Sequence, residues 1–211
     1  PSSDRANTFN GCLDGKGYTI YGLYVSGVAR AGLFAGISNK AIIKNLKIEN
    51  AHIKGGDGYA GAIAGIARWL SAAGTSTSAQ ITNVGVTNLT INGGIAYAGG
   101  LVGYTSDATL TISNCYTNNI TLQNWDSSGL PGGLVGADDA SGALKINNSY
   151  SAGYFPMNSK ENDATCTNVY TNVAYPEGNT TVGITVLTDA QMKGEAAKTN
   201  LSGFDFKWTW K

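Results

Sequence analysis

The sequence has 211 residues, enough for one sizeable domain or two small ones, and a domain of this length buries about 70% of its unfolded surface without help from metal or disulfides. Only 13% of residues are charged, 14 basic against 14 acidic, which leaves no electrostatic footprint for nucleic acid or an anionic membrane. No apolar run approaches the roughly 18 residues of a membrane span. The three cysteines, Cys12, Cys115 and Cys166, form no C-x-x-C motif and read as buried thiols, with room for one disulfide at most.

The 29 glycines, with abundant Asn, Thr, Ser, Val and Ile and only four prolines, predict many short strands joined by tight turns. They keep no collagen period. The chain opens on Pro1 and polar coil without a signal peptide, as expected of a chain processed or excised from a longer one. After "FNGCLDGKGYTI" comes the first of four near-copies of one apolar phrase: "AGLFAG" at 31–36, "AGAIAG" at 60–65, "AGGLVG" at 98–103 and "PGGLVG" at 131–136. Aligned on Gly36, Gly65, Gly103 and Gly136, they lie about 29, 38 and 33 residues apart, a range typical of solenoid units.

A second phrase follows in each unit: "IIKNLKIENAHI", "QITNVGVTNLTI", "TISNCYTNNITL", "LKINNSYSAGYF" and "TCTNVYTNVAYP". Stacked, these give columns with physical meaning. Phe34, Ile63, Leu101 and Leu134 share one position, followed by Ala35, Ala64, Val102 and Val135. Leu46, Val84, Cys115, Ser149 and Val169 share another, and two residues later come Ile48, Val86, Thr117, Ser151 and Thr171. The same two-residue step recurs in Ala51/Ile53, Leu89/Ile91 and Ile120/Leu122. A step of two is the strand period with one face turned inward. Asn45, Asn83, Asn114, Asn148 and Asn168 form a column at a bend, and Asn50, Asn88 and Asn119 a shorter one. Asparagine tolerates left-handed backbone, and stacked amides can bond along the stack.

A single unit of three short strands cannot bury its apolar face alone, but stacked units merge their inward columns into one core. The expected fold is all-β: a right-handed parallel β-helix of about four to five coils over residues 1–185. Loops such as "RWLSAAGTSTS" and "NWDSSGLP" would protrude between units. Residues 186–211 are expected to form a cap of the same domain. Thr188 and Gln191 fit a capping box for a short helix near 189–198, and "FDFKWTW" then alternates as an aromatic strand.

"FNGCLDGKGYTIYGLYV" resembles the opening of the GLUG-motif proteins, a repeat family of bacterial secreted and surface proteins. "GLVG" at 100–103 and 133–136 matches the name-giving motif, with "GLFAG" and "GAIAG" as looser versions. The resemblance covers roughly residues 9–211. It implies a β-helical fold, an extracellular or cell-surface location and an adhesion or spacer role. The family's metalloprotease members carry an H-E-x-x-H segment that this chain lacks, so no protease role follows.

Nothing in the sequence assembles a catalytic centre. Acidic residues are dispersed, and the one close pair, Asp138–Asp139, reads as a solvated corner that supplies too few oxygens for Ca²⁺. His52, the only histidine, falls on an outward face, and "GGDGYAG" at 55–61 is only superficially calcium-like. Phosphate-binding loops and the regular threonine arrays of ice-binding solenoids are missing. The expectation is therefore no enzyme, no catalytic residue, no metal and no cofactor. Aromatic residues give the better lead. One outward column reads Lys47, Gly85, Tyr116, Tyr150, Tyr170, and three stacked tyrosines suit a sugar ring or a partner protein unless Phe204 to Trp210 cover them. Trp69 and Trp125 in protruding loops complete the contact candidates. The expected function is a non-catalytic module that binds a host or cell-surface glycan or protein, or serves as a spacer. The alternative is a polysaccharide-acting enzyme or its carbohydrate-binding part.

Overall fold

The computed structural model describes residues 8–38, 40–68, 78–106, 109–123, 131–138, 143–157, 164–174 and 183–204. The first repeat supplies β1 (Cys12–Asp14), β2 (Thr19–Tyr21), β3 (Tyr24–Ala31) and β4 (Phe34–Ile37). The next two supply β5 (Ile42–Gly61) with β6 (Ala64–Arg68), and β7 (Ala79–Gly99) with β8 (Val102–Ser106). Then follow β9 (Thr109–Ser113), β10 (Tyr116–Leu122), β11 (Val135–Asp138), β12 (Ala143–Ser151), β13 (Thr165–Thr171), β14 (Ile184–Val186) and the helix α1 (Gly194–Asn200). Among the described residues the protein is all-β but for this short helix.

The strands form a ten-stranded and a four-stranded sheet, the latter in the order β11-β8-β6-β4. Every pairing among the described strands is parallel, and partners are equivalent positions of successive repeats. Leu46 pairs with Val84, and Ile48 with Val86. Val86 pairs with Thr117, which pairs with Ser151 and through it Thr171. The inward columns are fully buried, Ile43, Ile81, Ile112 and Ile146 each at 0% exposure. In later repeats hydroxyls replace aliphatics, and each finds a partner. Thr117 Oγ1 donates to the Gly133 carbonyl at 2.8 Å, and Thr171 Oγ1 to the Tyr154 carbonyl at 3.2 Å. A buried hydroxyl without such a bond costs about 1–3 kcal/mol. The stacked register extends beyond the units legible in sequence, with Thr19 below Lys47 and Thr185 above Tyr170. β14 thus straddles the expected boundary at 185/186.

All eight corner asparagines lie in the left-handed region, with φ between 45° and 56°. Asparagine takes this conformation at less cost than most residues, because its short side chain bonds locally. One such residue turns the chain without ending the ladder, so the three segments expected per unit run as one bent strand in β5 and β7. The amides also bond along the stack. Asn45 Nδ2 donates to Asp14 Oδ1 at 3.0 Å, Asn83 Nδ2 to Asn45 Oδ1 at 3.0 Å, and Asn168 Nδ2 to Asn148 Oδ1 at 3.0 Å.

The repeated glycine phrase marks where the two sheets touch. A Cβ on Gly65 would lie 2.8 Å from the Ala31 nitrogen, one on Gly103 2.6 Å from the Ala60 nitrogen, and one on Gly136 2.7 Å from the Ala98 carbonyl carbon. The sheets meet backbone against backbone, with alanine on one side and glycine on the other. The phrase is architecture. One alignment needs correction. Phe34 pairs with Ala64, and Gly36 with Ile66, so the first repeat is displaced by one residue from the last-glycine alignment. Ala31 still pairs with Ala60, which puts the missing residue of the first repeat between Ala31 and Phe34. Leu33 rather than Phe34 therefore takes the place of Ile63, since a one-residue slip exchanges the faces of a strand. Phe34 instead stacks on Phe9 with centroids 4.3 Å apart.

Of the cysteines, expected as buried thiols, only Cys115 is fully so. Cys115 is buried, Cys166 half-buried and Cys12 exposed, and all three are free thiols. Cys12 lies at an outward position of β1, paired with Ile42.

Candidate functional site

Of the expected contact residues, Trp69 and Trp125 lie outside the described residues. The three tyrosines do stack in register. Tyr116 pairs with Tyr150 and Tyr150 with Tyr170, and the first two rings lie 5.4 Å apart at 19°. Gly85 below them leaves room for the Tyr116 ring, since a Cβ there would lie 2.3 Å from two of its carbons and push the ring aside. Burial raises the hydroxyl pKa of Tyr116, aided by the negative Glu49, and that of Tyr150, aided by Tyr116.

The column is not an open strip. The segment after β14 folds back over it and buries Tyr170 to 5% exposure beneath Ala197 and Leu201. Phe204 reaches both upper rings, 6.1 Å from Tyr150 and 5.9 Å from Tyr170, and the Tyr170 hydroxyl donates to the Ser202 carbonyl at 3.3 Å. Tyr170 is therefore corrected from contact residue to anchor of the cover, while Tyr116 and Tyr150 stay half-buried. The cover begins as expected: the Thr188 nitrogen donates to Gln191 Oε1 at 2.8 Å, and the Gln191 nitrogen to Thr188 Oγ1 at 3.3 Å. The helix itself does not start there. Lys193, extended at φ −124° and ψ 151°, separates the capped turn from α1, whose first residue Gly194 lies at φ 57°.

Between this cover and the corner of β10 lies a groove of about 280 Å³. It exists because side chains shrink from one repeat to the next. The Ala152 nitrogen donates to the Thr117 carbonyl at 2.9 Å, so Ala152 stands above Asn118, and the following Gly153 above Asn119. Gly153 keeps the left-handed corner, at φ 93°, without the amide. Ile120 and Tyr150 line the apolar side, and Met192 closes it from the cover. A polar relay also lines it. Asn172 Oδ1 accepts from the Gly153 nitrogen at 2.7 Å, Asn172 Nδ2 donates to Asp189 Oδ1 at 2.5 Å, and Lys193 Nζ lies 3.6 Å from Asp189 Oδ2. The Asn172 hydrogen bond and then the Lys193 charge hold the Asp189 carboxyl below its ordinary pKa.

Glycoside hydrolysis uses two carboxyl groups with opposed protonation states. Among the groove's lining residues Asp189 is the one carboxylate, and its partners keep it ionised. Among the described residues no group of three His, Cys, Asp or Glu gathers to hold a metal ion. His52 faces outward beside Tyr24, ring centroids 5.6 Å apart. Asp138 is not a solvated corner: it is half-buried and accepts a hydrogen bond from Thr105 Oγ1. Its neighbour Asp139 lies outside the described residues.

Sequence reasoning missed most of the groove. Asn118, Asn172, Asp189, Met192 and Lys193 carry no repeat signal of their own. One signal was legible: the shorter asparagine column stops at Asn119, where the next repeat has Gly153. A second aromatic cluster also went unread. Tyr59, Tyr97 and Tyr104 stack with centroids 4.7 to 5.9 Å apart, and a tyrosine precedes the "AG" of both the second and third phrases. No protein-family model, curated protein or solved structure matches the chain.

Proposed function

We propose that this chain is a non-catalytic binding module, a right-handed parallel β-helix of the GLUG-motif kind, that holds a glycan in the groove beside Tyr150. Parallel pairing of equivalent positions throughout both sheets supports the β-helical reading, and its hand follows the general handedness of parallel crossovers. The sequence resemblance supports a bacterial, extracellular or cell-surface setting and an adhesion role.

The observation that carries the binding role is the composition of the groove. A half-buried tyrosine, apolar side chains, amides and a neutralised ion pair line one groove. Sugars offer the matching surface, an apolar ring face edged by hydroxyls. A glycan array probed with the full chain tests the reading, beside the variant Ala152→Leu, which fills the groove from its rim. Retained glycans that release on Ala152→Leu are the expected result. Silence on glycans and on matrix proteins alike would reduce the module to a spacer. The polysaccharide-acting alternative predicts reducing or unsaturated ends after incubation with acidic and neutral glycans, and their release would overturn the non-catalytic reading.

A further inference from the structure

The shorter asparagine ladder has a direction, and it ends in the groove. Asn88 Nδ2 donates to Asn50 Oδ1 at 2.9 Å, and Asn119 Nδ2 donates to Asn88 Oδ1 at 2.6 Å. Each amide thus turns its donor toward the preceding repeat and its acceptor toward the following one. Aligned amides polarise one another, which strengthens the acceptor at the end of the chain. That acceptor is Asn119 Oδ1. Asn119 lines the groove, and the position above it is Gly153, which has no side chain to continue the ladder.

The same groove is lined by the apolar side chains of Ile120 and Met192, by Tyr150 and by Lys193. An acceptor, an apolar lining and a donor in one groove match the three parts of an acetamido group: an N–H, a methyl and a carbonyl. Resting on the glycan reading above, we propose that the groove selects a neutral sugar that carries an acetamido substituent. The acetamido N–H donates to Asn119 Oδ1, its methyl packs on Met192, its carbonyl accepts from Lys193, and the sugar ring packs against the edge of Tyr150. A plain hydroxyl supplies a donor but leaves the apolar lining uncovered. A carboxylate brings negative charge against an acceptor.

Titration calorimetry with the full chain tests this, using the N-acetylglucosamine disaccharide, cellobiose and glucuronic acid as probes. The expected order is acetamido disaccharide first, with cellobiose at least fivefold weaker and glucuronic acid weakest. Asn119→Gly keeps a residue suited to its φ of 51° while removing the acceptor, and should weaken the acetamido disaccharide about five- to tenfold, the worth of one neutral hydrogen bond. Asn50→Gly, at the far end of the same ladder, should bind within about twofold of the parent, since one bond's polarisation is a fraction of its strength. Thermal melts of both variants confirm folding. Equal affinity for the two disaccharides would overturn the acetamido assignment and leave the glycan reading standing. Unchanged binding by Asn119→Gly would overturn the assignment of the acceptor, and failure of all sugars to bind would remove both readings.

Discussion

Gly103→Ala places one methyl group where the two sheets touch. Its carbon would lie 2.6 Å from the Ala60 nitrogen, 2.7 Å from the Gly65 oxygen and 2.8 Å from the Ala60 oxygen, against 3.4–4 Å for ordinary contact. All three neighbours are backbone atoms of hydrogen-bonded strands, so no side chain can swing aside and the sheets must separate locally. Overpacking of this kind costs about 1–3 kcal/mol, and the absence of a yielding side chain puts this site at the upper end. Alanine also restricts the unfolded chain, which returns about 0.4–1 kcal/mol because φ at Gly103 is not in the left-handed region. The net expectation is a loss of about 2 kcal/mol, or a melting temperature lower by roughly 4–8 °C for a chain of this length. Gly56→Ala is the control: its nearest neighbour would be 3.6 Å away, and its stability should stay within about 0.5 kcal/mol of the parent. Urea unfolding followed by circular dichroism measures both. If Gly103→Ala proves as stable as Gly56→Ala, the repeated glycines are not set by the approach of the sheets, and that account of the phrase is wrong.

Asn88→Ala removes ladder bonds to Asn50 and Asn119 and puts an unsuited residue at φ 54°, so urea unfolding should show a loss of about 2–3 kcal/mol, with Asn88→Gly milder by about 1 kcal/mol. Asp14 is held below the usual carboxylate range by hydrogen bonds from Asn45 and the Lys16 nitrogen and by the Lys44 charge. It supplies stability that is full above the ordinary aspartate pKa and lost as pH falls through the lower folded value. Melts between pH 6 and about pH 2.5 should show this acid loss diminished in Asp14→Asn, which cannot titrate. In a thiol-labelling time course at pH 8, exposed Cys12 should react first. Cys166, pushed up to about 11 by burial, should lag, and Cys115, pushed up to about 12, should label only on unfolding. Early labelling of Cys115 would contradict its burial.

The stacked register was readable because each inward column repeats a two-residue step between asparagines that turn the chain. Val84, Cys115 and Ser149 differ in chemistry, yet their distance from Asn83, Asn114 and Asn148 fixes their face. The first phrase misled because its most visible glycine, Gly36, is not what sets register; the residue missing between Ala31 and Phe34 is. Helix α1 starts later than its capping box because the chain is extended at Lys193 and turns through positive φ at Gly194, and glycine's conformational freedom leaves no mark that separates a stop from a pause. The Tyr150 column was visible, but its cover depends on Leu201 and Phe204 meeting Tyr170 across a long stretch of chain, which no local period encodes. The groove was least legible because it is made by a missing side chain at Gly153 and completed by Asp189, Met192 and Lys193, which lie outside the repeats.

The one-way amides have a consequence for growth of the structure. A spliced-in copy of an internal unit would find an acceptor waiting on one side and a donor on the other, whatever its outward residues, provided it entered in the native sense. Lengthening is therefore vectorial: units can be inserted head to tail, whereas an inverted one would set acceptor against acceptor on one side and donor against donor on the other.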